Sequence, residues 1–180
     1  MSALVVSRQT ELQRHYRETP KDALIIERAR TSDGARHDPF HGHLEIGGGR
    51  PGGVPELGWE FGIHAAVGGD HDLPNPGHVL LGALAACMDS TLRMLAERFG
   101  IGLEELEVTV DGHIDVRGAL MVSNDAPVGF QDIRCHVALR TEEGVPAEAV
   151  KRLVAAAERS YIVLQTLRNG VSVTTDFAAH

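Results

Sequence analysis

An α+β domain with antiparallel strands is the fold class this sequence predicts, and three observations carry the prediction. Strand-like segments come in groups, in the order βββαββααβ, which separates strands from helices instead of alternating them as a doubly wound parallel fold does. One long helical pattern, residues 76–99, stands between the two strand groups. The flanking segments alternate apolar and polar residues, as antiparallel sheets with one buried face do.

Taken in order, residues 7–17 are mostly polar with good helix formers, and Leu12 and Tyr16 lie four apart before Pro20 ends the run. This predicts a short helical arm over residues 1–20, followed by one domain over 21–180. Residues 23–30 are β-branched in the middle and run into the turn-rich Thr31-Ser32-Asp33-Gly34, so a first strand is expected there. Phe40, Gly42, Leu44 and Ile46 alternate with His41, His43 and Glu45, giving a second strand, and Trp59, Phe61 and Ile63 mark a third. The three form a meander. The glycine-rich stretch 47–53 lacks the GxxxxGK[ST] pattern of a phosphate loop and reads as a flexible turn.

The long helix begins at Asn75, a good N-cap, with Pro76 in its first position, and Gly100 ends it. Leu80, Ala83, Leu84, Cys87, Ser90, Thr91, Met94 and Leu95 recur at spacings of three and four, which turns Cys87 towards the interior. Residues 107–116 and 131–139 alternate and are expected to pair as a long hairpin, with Cys135 a buried thiol beside Ile133 and Val137. Pro146 opens a helix through Arg159, residues 162–167 continue a helical pattern, and Asn169-Gly170 turns the chain into a closing strand at 171–175.

Composition narrows the function classes. The net charge of −8 and the lack of a Lys/Arg run speak against nucleic acid as a partner, which needs clustered cations facing phosphates. No apolar stretch approaches ~20 uninterrupted residues, and the N-terminus, with Arg8, Glu11, Arg14 and Arg17, lacks the apolar core of a secretory signal. A cytoplasmic protein without a membrane partner is expected. The two cysteines, Cys87 and Cys135, have no CxxC spacing, so neither a disulfide framework nor a zinc pair is implied. Histidines gather at His37, His41, His43, His64, His71 and His78. A divalent-metal site built from His41, His43, His71 and Asp72 is the rival reading. Solvated loop and strand residues are favoured over it, because no HExxH-like spacing fixes the geometry. No cofactor is expected.

The run Pro74-Asn75-Pro76-Gly77-His78-Val79-Leu80-Leu81-Gly82-Ala83-Leu84-Ala85-Ala86-Cys87, then Gly100-Ile101 and the strand from Leu106, resembles the OsmC/Ohr family. The names stand for osmotically inducible protein C and organic hydroperoxide resistance protein. The likeness extends from about residue 20 to the end. It implies an intertwined homodimer in which antiparallel sheets wrap long central helices, with a site near the dimer interface. It also implies a peroxidatic cysteine at Cys87 that attacks the O–O bond of a hydroperoxide. Two positions depart from the family pattern: Tyr161 stands where a second, resolving cysteine belongs, and Gly77 stands where active members carry a glutamate. The resemblance also implies a thiolate-holding arginine from an early strand or loop, for which Arg28, Arg30, Arg36 and Arg50 are the candidates, and a pocket bordered by the loop before the helix. Tyr161, His71, Asp72 and His78 are therefore expected to line a pocket. Two functions follow: a thiol peroxidase that reduces organic hydroperoxides through Cys87 with an external thiol as reductant, or a dimer that binds a small ligand and has lost the chemistry.

Overall fold

Leu84, Met88, Leu92 and Ala96 recur every fourth residue along one helix, and all four are buried. That stripe positions the core of the chain. A computed structural model describes residues 4–47 and 57–178. The expected glycine-rich turn at 47–53 and Arg50 lie, but for Gly47, outside the described residues. In chain order the elements are α1 (Leu4–Glu18), β1 (Ala29–Asp33), β2 (Gly42–Ile46), β3 (Leu57–Phe61), α2 (Pro76–Phe99), β4 (Leu103–Ile114), α3 (Val116–Ala119), β5 (Phe130–Thr141), α4 (Ala147–Ser160) and α5 (Ile162–Asn169). Strands β1–β2–β3 form one sheet and β4–β5 another.

Helix α2 has the predicted ends. The Asn75 side chain accepts the His78 N–H at 3.1 Å, and His78 Nδ1 accepts the Asn75 N–H at 3.3 Å, a capping box with histidine in the third position. At the far end Gly100 takes φ +69°, and the Ile101 N–H reaches back to the Ala96 carbonyl at 2.8 Å, satisfying a terminal acceptor. By length and composition α2 is long and apolar enough to cross a membrane, a test that core helices also pass. Here five of its residues, Leu84, Met88, Thr91, Leu92 and Ala96, are buried.

The chain divides into two compact units. The first takes in Met1–Ser7, Ala83–Val110 and Cys135–His180. Its core joins the α2 stripe to Ile101, to Leu153 and Ala157 of α4, and to Tyr161 and Leu164 at α5. Helix α4 presents this face because its apolar residues repeat at helical spacing while Glu148, Lys151 and Glu158 stay outside.

The second unit takes in Arg8–Gly82 and Asp111–Arg134. Its meander is antiparallel, with Thr31 opposite Leu44 and Leu44 opposite Trp59. Burial is thin here: every residue of β1 is exposed, and Leu57 at the start of β3 is 60% exposed. Where β4 enters this unit, a Cβ on Gly112 would stand 2.4 Å from the Phe130 ring and 3.1 Å from Leu81, so only glycine permits that approach. The hairpin is antiparallel as expected, since Glu104 pairs with Arg140 at one end and His113 with Asp132 at the other.

Besides the α2 stripe, which runs through Met88, Leu92 and Ala96 rather than the expected Cys87 and Met94, three local expectations differ. The first strand begins at Ala29, leaving Leu24, Ile25 and Ile26 exposed and outside any ladder. Residues 171–175 are not a strand, and Val171 and Val173 are exposed. A strand exists only where a neighbour takes its hydrogen bonds, and among the described residues these segments join no ladder. Cys135 is exposed rather than buried, although Ile133, Val137 and Leu139 on the same side of β5 are partly covered.

Candidate active site

Helix α4 ends and α5 begins at one residue, Tyr161, which is both the C-cap of the first and the N-cap of the second. The first N–H groups of a helix have no acceptor within it. One of them, on Val163, donates to Cys87 Sγ at 3.5 Å. The half-buried Cys87 sulfur thus faces the N-terminus of α5, where orphan N–H groups and the helix dipole both present positive charge. Cys87 is about three turns into α2, too far for that helix's own dipole, and sequence reading finds no other donor because α5 lies 76 positions further on.

Tyr161 is 3% exposed. Burial, followed by the nearby Glu158, Cys87 and Cys135, pushes its phenol up to about 12, so it holds its proton at neutral pH. The same relation places the ring within electrostatic reach of both thiols. Cys135 titrates above the usual thiol range, chiefly because its sulfur is partly desolvated; Arg168 opposes that rise and Glu158 adds to it. Arg168 is itself held by Glu158 at 2.6 Å. Both cysteines are free thiols.

The second unit carries a charged network that the sequence did not announce. The His41 side chain is 1% exposed, with Nδ1 2.9 Å from the Asp38 carboxylate and Nε2 3.0 Å from Asp72. Two carboxylates opposite two ring nitrogens suit an imidazolium, whose N–H groups both donate. Arg36 completes the set, donating to Asp72 at 2.6 Å and lying 3.0 Å from His41 Nε2. Asp72 titrates at about 2, held down by His41 first and Arg36 second, and His41 is raised above its ordinary value by Asp72 and then Asp38. The Asp38–His41 spacing of three, with Asp38 also accepting the Phe40 N–H at 2.8 Å, is the one signal a sequence reader had for this turn. His43 binds Glu60 at 2.9 Å, so both strand histidines of the rival metal reading are engaged by carboxylates.

His71, at φ +56°, stands between His64 and His78, with ring centroids 4.2 and 6.0 Å away. The Nδ1 atoms of His64 and His78 are taken by backbone N–H groups, which sets both rings in the Nε2–H tautomer. Among the described residues no three His, Cys, Asp or Glu side chains are arranged to hold a metal ion. The predicted site residues therefore fall into sets: Tyr161 with Cys87 in the first unit, and His71 with His78, and Asp72 with His41 and Arg36, in the second. Of the arginines weighed for the thiolate clamp, Arg30 pairs with Glu45 and Arg36 with Asp72.

An α+β fold with a half-buried cysteine at the N-terminus of a second helix is the class these features define. The chain belongs to the OsmC-like family: the family model described as OsmC-like protein matches residues 69–176. Among curated proteins none matches the chain. Solved structures that resemble it include an OsmC-like protein from Mycoplasma pneumoniae, 14% identical with a TM-score of 0.59 over 81% of this chain and 89% of that one. An organic hydroperoxide resistance protein from Elizabethkingia anophelis, with thiocyanate bound, is 22% identical with a TM-score of 0.58 over 82% of this chain and 91% of that one. A third, from Legionella pneumophila and described as an organic hydroperoxide resistance protein, is 23% identical with a TM-score of 0.50 over 81% and 90%. At such identities the likeness establishes the fold.

Proposed function

We propose that this chain is a one-cysteine thiol peroxidase that reduces organic hydroperoxides through Cys87, as a cytoplasmic homodimer recycled by an external thiol. The observation that carries the reading is the Val163 N–H on the Cys87 sulfur at the start of α5. Reactive thiols are found at helix N-termini, where the anion that attacks is favoured. The sulfur attacks the terminal oxygen of the hydroperoxide, the O–O bond breaks, and a sulfenic acid and an alcohol form. With Tyr161 in the place of a resolving cysteine, an external thiol condenses with the sulfenic acid, releasing water, and a second thiol frees Cys87 as the disulfide departs.

The dimer is supported by apolar segments left uncovered in the single chain: Leu24, Ile25 and Ile26 on one side of the sequence, and Val171, Val173 and Phe177 on the other. Such strand-forming edges gain ladders and burial from a second copy. Sedimentation equilibrium should give twice the chain mass, and a monomer at micromolar concentration refutes that part. For the activity, consumption of cumene hydroperoxide with a small dithiol is compared between wild type and Cys87→Ser. Loss to background in the variant is the expected result; equal rates in the two proteins would end the peroxidase reading.

A further inference from the structure

A buried tyrosine ordinarily hydrogen-bonds its hydroxyl. Tyr161 is 3% exposed, yet among the described residues its hydroxyl has no hydrogen-bond partner. Among those residues no side-chain nitrogen or oxygen that is sealed from solvent lacks a partner. The Tyr161 hydroxyl is therefore not wholly sealed from solvent, although the residue as a whole is buried. It lies within electrostatic reach of Cys87, and two residues along the chain Val163 donates its N–H to the Cys87 sulfur. The start of α5 thus supplies an N–H to the sulfur from Val163 and, two residues earlier, a buried ring whose O–H is unengaged among the described residues.

Cleavage of a hydroperoxide has a requirement that the sulfur cannot meet. The sulfur of the Cys87 thiolate forms a bond to the terminal oxygen, the electron pair of the O–O bond leaves on the inner oxygen, and an alkoxide is a poor leaving group unless a proton meets it. We propose that Tyr161 is the catalytic proton donor to that leaving oxygen, a proposal that rests on the peroxidase reading of Cys87. The phenol gives its proton to the departing oxygen, the alcohol is released, and the phenolate regains a proton from solvent. The sulfur ends as S–OH, oxidised by two electrons, and the hydroperoxide as alcohol, reduced by two. A residue that fills the resolving-cysteine position with a bulky ring would pack equally well as phenylalanine, and the hydroxyl is what distinguishes the two.

The test varies the leaving group. Single-turnover oxidation of Cys87 is followed by stopped flow for wild type and Tyr161→Phe, with cumene hydroperoxide, which expels an alkoxide, and with peracetic acid, which expels a carboxylate that departs without a proton. Cys87 alkylation by iodoacetamide, which needs no acid, reports whether the sulfur itself is unchanged. Tyr161→Phe removes one oxygen that holds no hydrogen bond to the described residues, so the fold is expected to survive, and a thermal melt checks it. The expected result is a loss of about 100-fold with cumene hydroperoxide. With peracetic acid and in alkylation the change stays within roughly threefold. An equal loss with both oxidants, or no loss with either, overturns the donor role while leaving the peroxidase intact. A wild-type protein that reacts with neither oxidant at Cys87 overturns both.

Discussion

Replacing Leu153 with alanine tests the packing that holds α5 against Cys87. Leu153 lies in α4 at 0% exposure, in the same core as Leu84, Leu92, Ala157 and Leu164. The substitution removes three carbons, at about 0.8 kcal/mol for each buried methylene-sized group, or about 2.4 kcal/mol of transfer free energy. The hole left among neighbours that close only partly raises the cost to between about 2.7 and 5 kcal/mol. For a chain of 180 residues each kcal/mol lowers the melting temperature by about 2–4 °C, so a drop of about 5–20 °C is expected. Val154, the next residue on the same helix and 44% exposed, is the internal control: its alanine variant should lie within about 0.5–1 kcal/mol of wild type. Urea denaturation of the three proteins, with circular dichroism as the readout, measures both. A Leu153→Ala variant within about 1 kcal/mol of wild type would show that the inward face of α4 is wrongly assigned, and with it the seat of α5.

Two further expectations follow from the caps and charges. Asn75→Ala removes the acceptor of the His78 N–H at a cap that is only 9% exposed, and should cost about 1–2 kcal/mol in the same denaturation assay; a cost near zero would mean that solvent replaces the cap. The His41 network should depend on pH in two directions. His41 is raised above 6.5, so its contribution is complete below 6.5 and is lost as pH climbs through the raised value. Asp72 is lowered from 3.8 to about 2, so its contribution is complete above 3.8 and is lost as pH falls through about 2. The stability difference between wild type and His41→Gln should therefore be greatest between 3.8 and 6.5 and shrink by pH 9; a difference that widens towards pH 9 contradicts the imidazolium assignment.

Local chemistry made much of this protein legible in its sequence. Asn75-Pro76 and Gly100 delimit α2 to the residue, because an N-cap side chain and a left-handed glycine act within one turn of where they stand. The order of strands and helices as far as α5, apart from the one-turn α3, and the pairing of β4 with β5 follow from apolar period and turn residues, whereas the closing strand expected at 171–175 does not form. Cys87 and Tyr161 are candidate site residues through the family resemblance, not through local chemistry. Other features needed the third dimension. Helix α2 is apolar on most sides, so its sequence allows several stripes; the expected one passed through Cys87 and Met94, whereas the buried one runs through Met88, Leu92 and Ala96, and Met94 is 41% exposed. Which face is covered depends on where α4 and α5 come to rest. The donor on the Cys87 sulfur is a backbone N–H, present in every residue but proline and therefore invisible in composition. The Asp38–His41–Asp72–Arg36 network joins positions as far as 36 residues apart, and its charges acquire their shifted titration only when folding brings them within hydrogen-bond distance. Sequence sets what each residue can donate, accept or bury. Proximity, which is a property of the folded chain, decides which of those capacities meet.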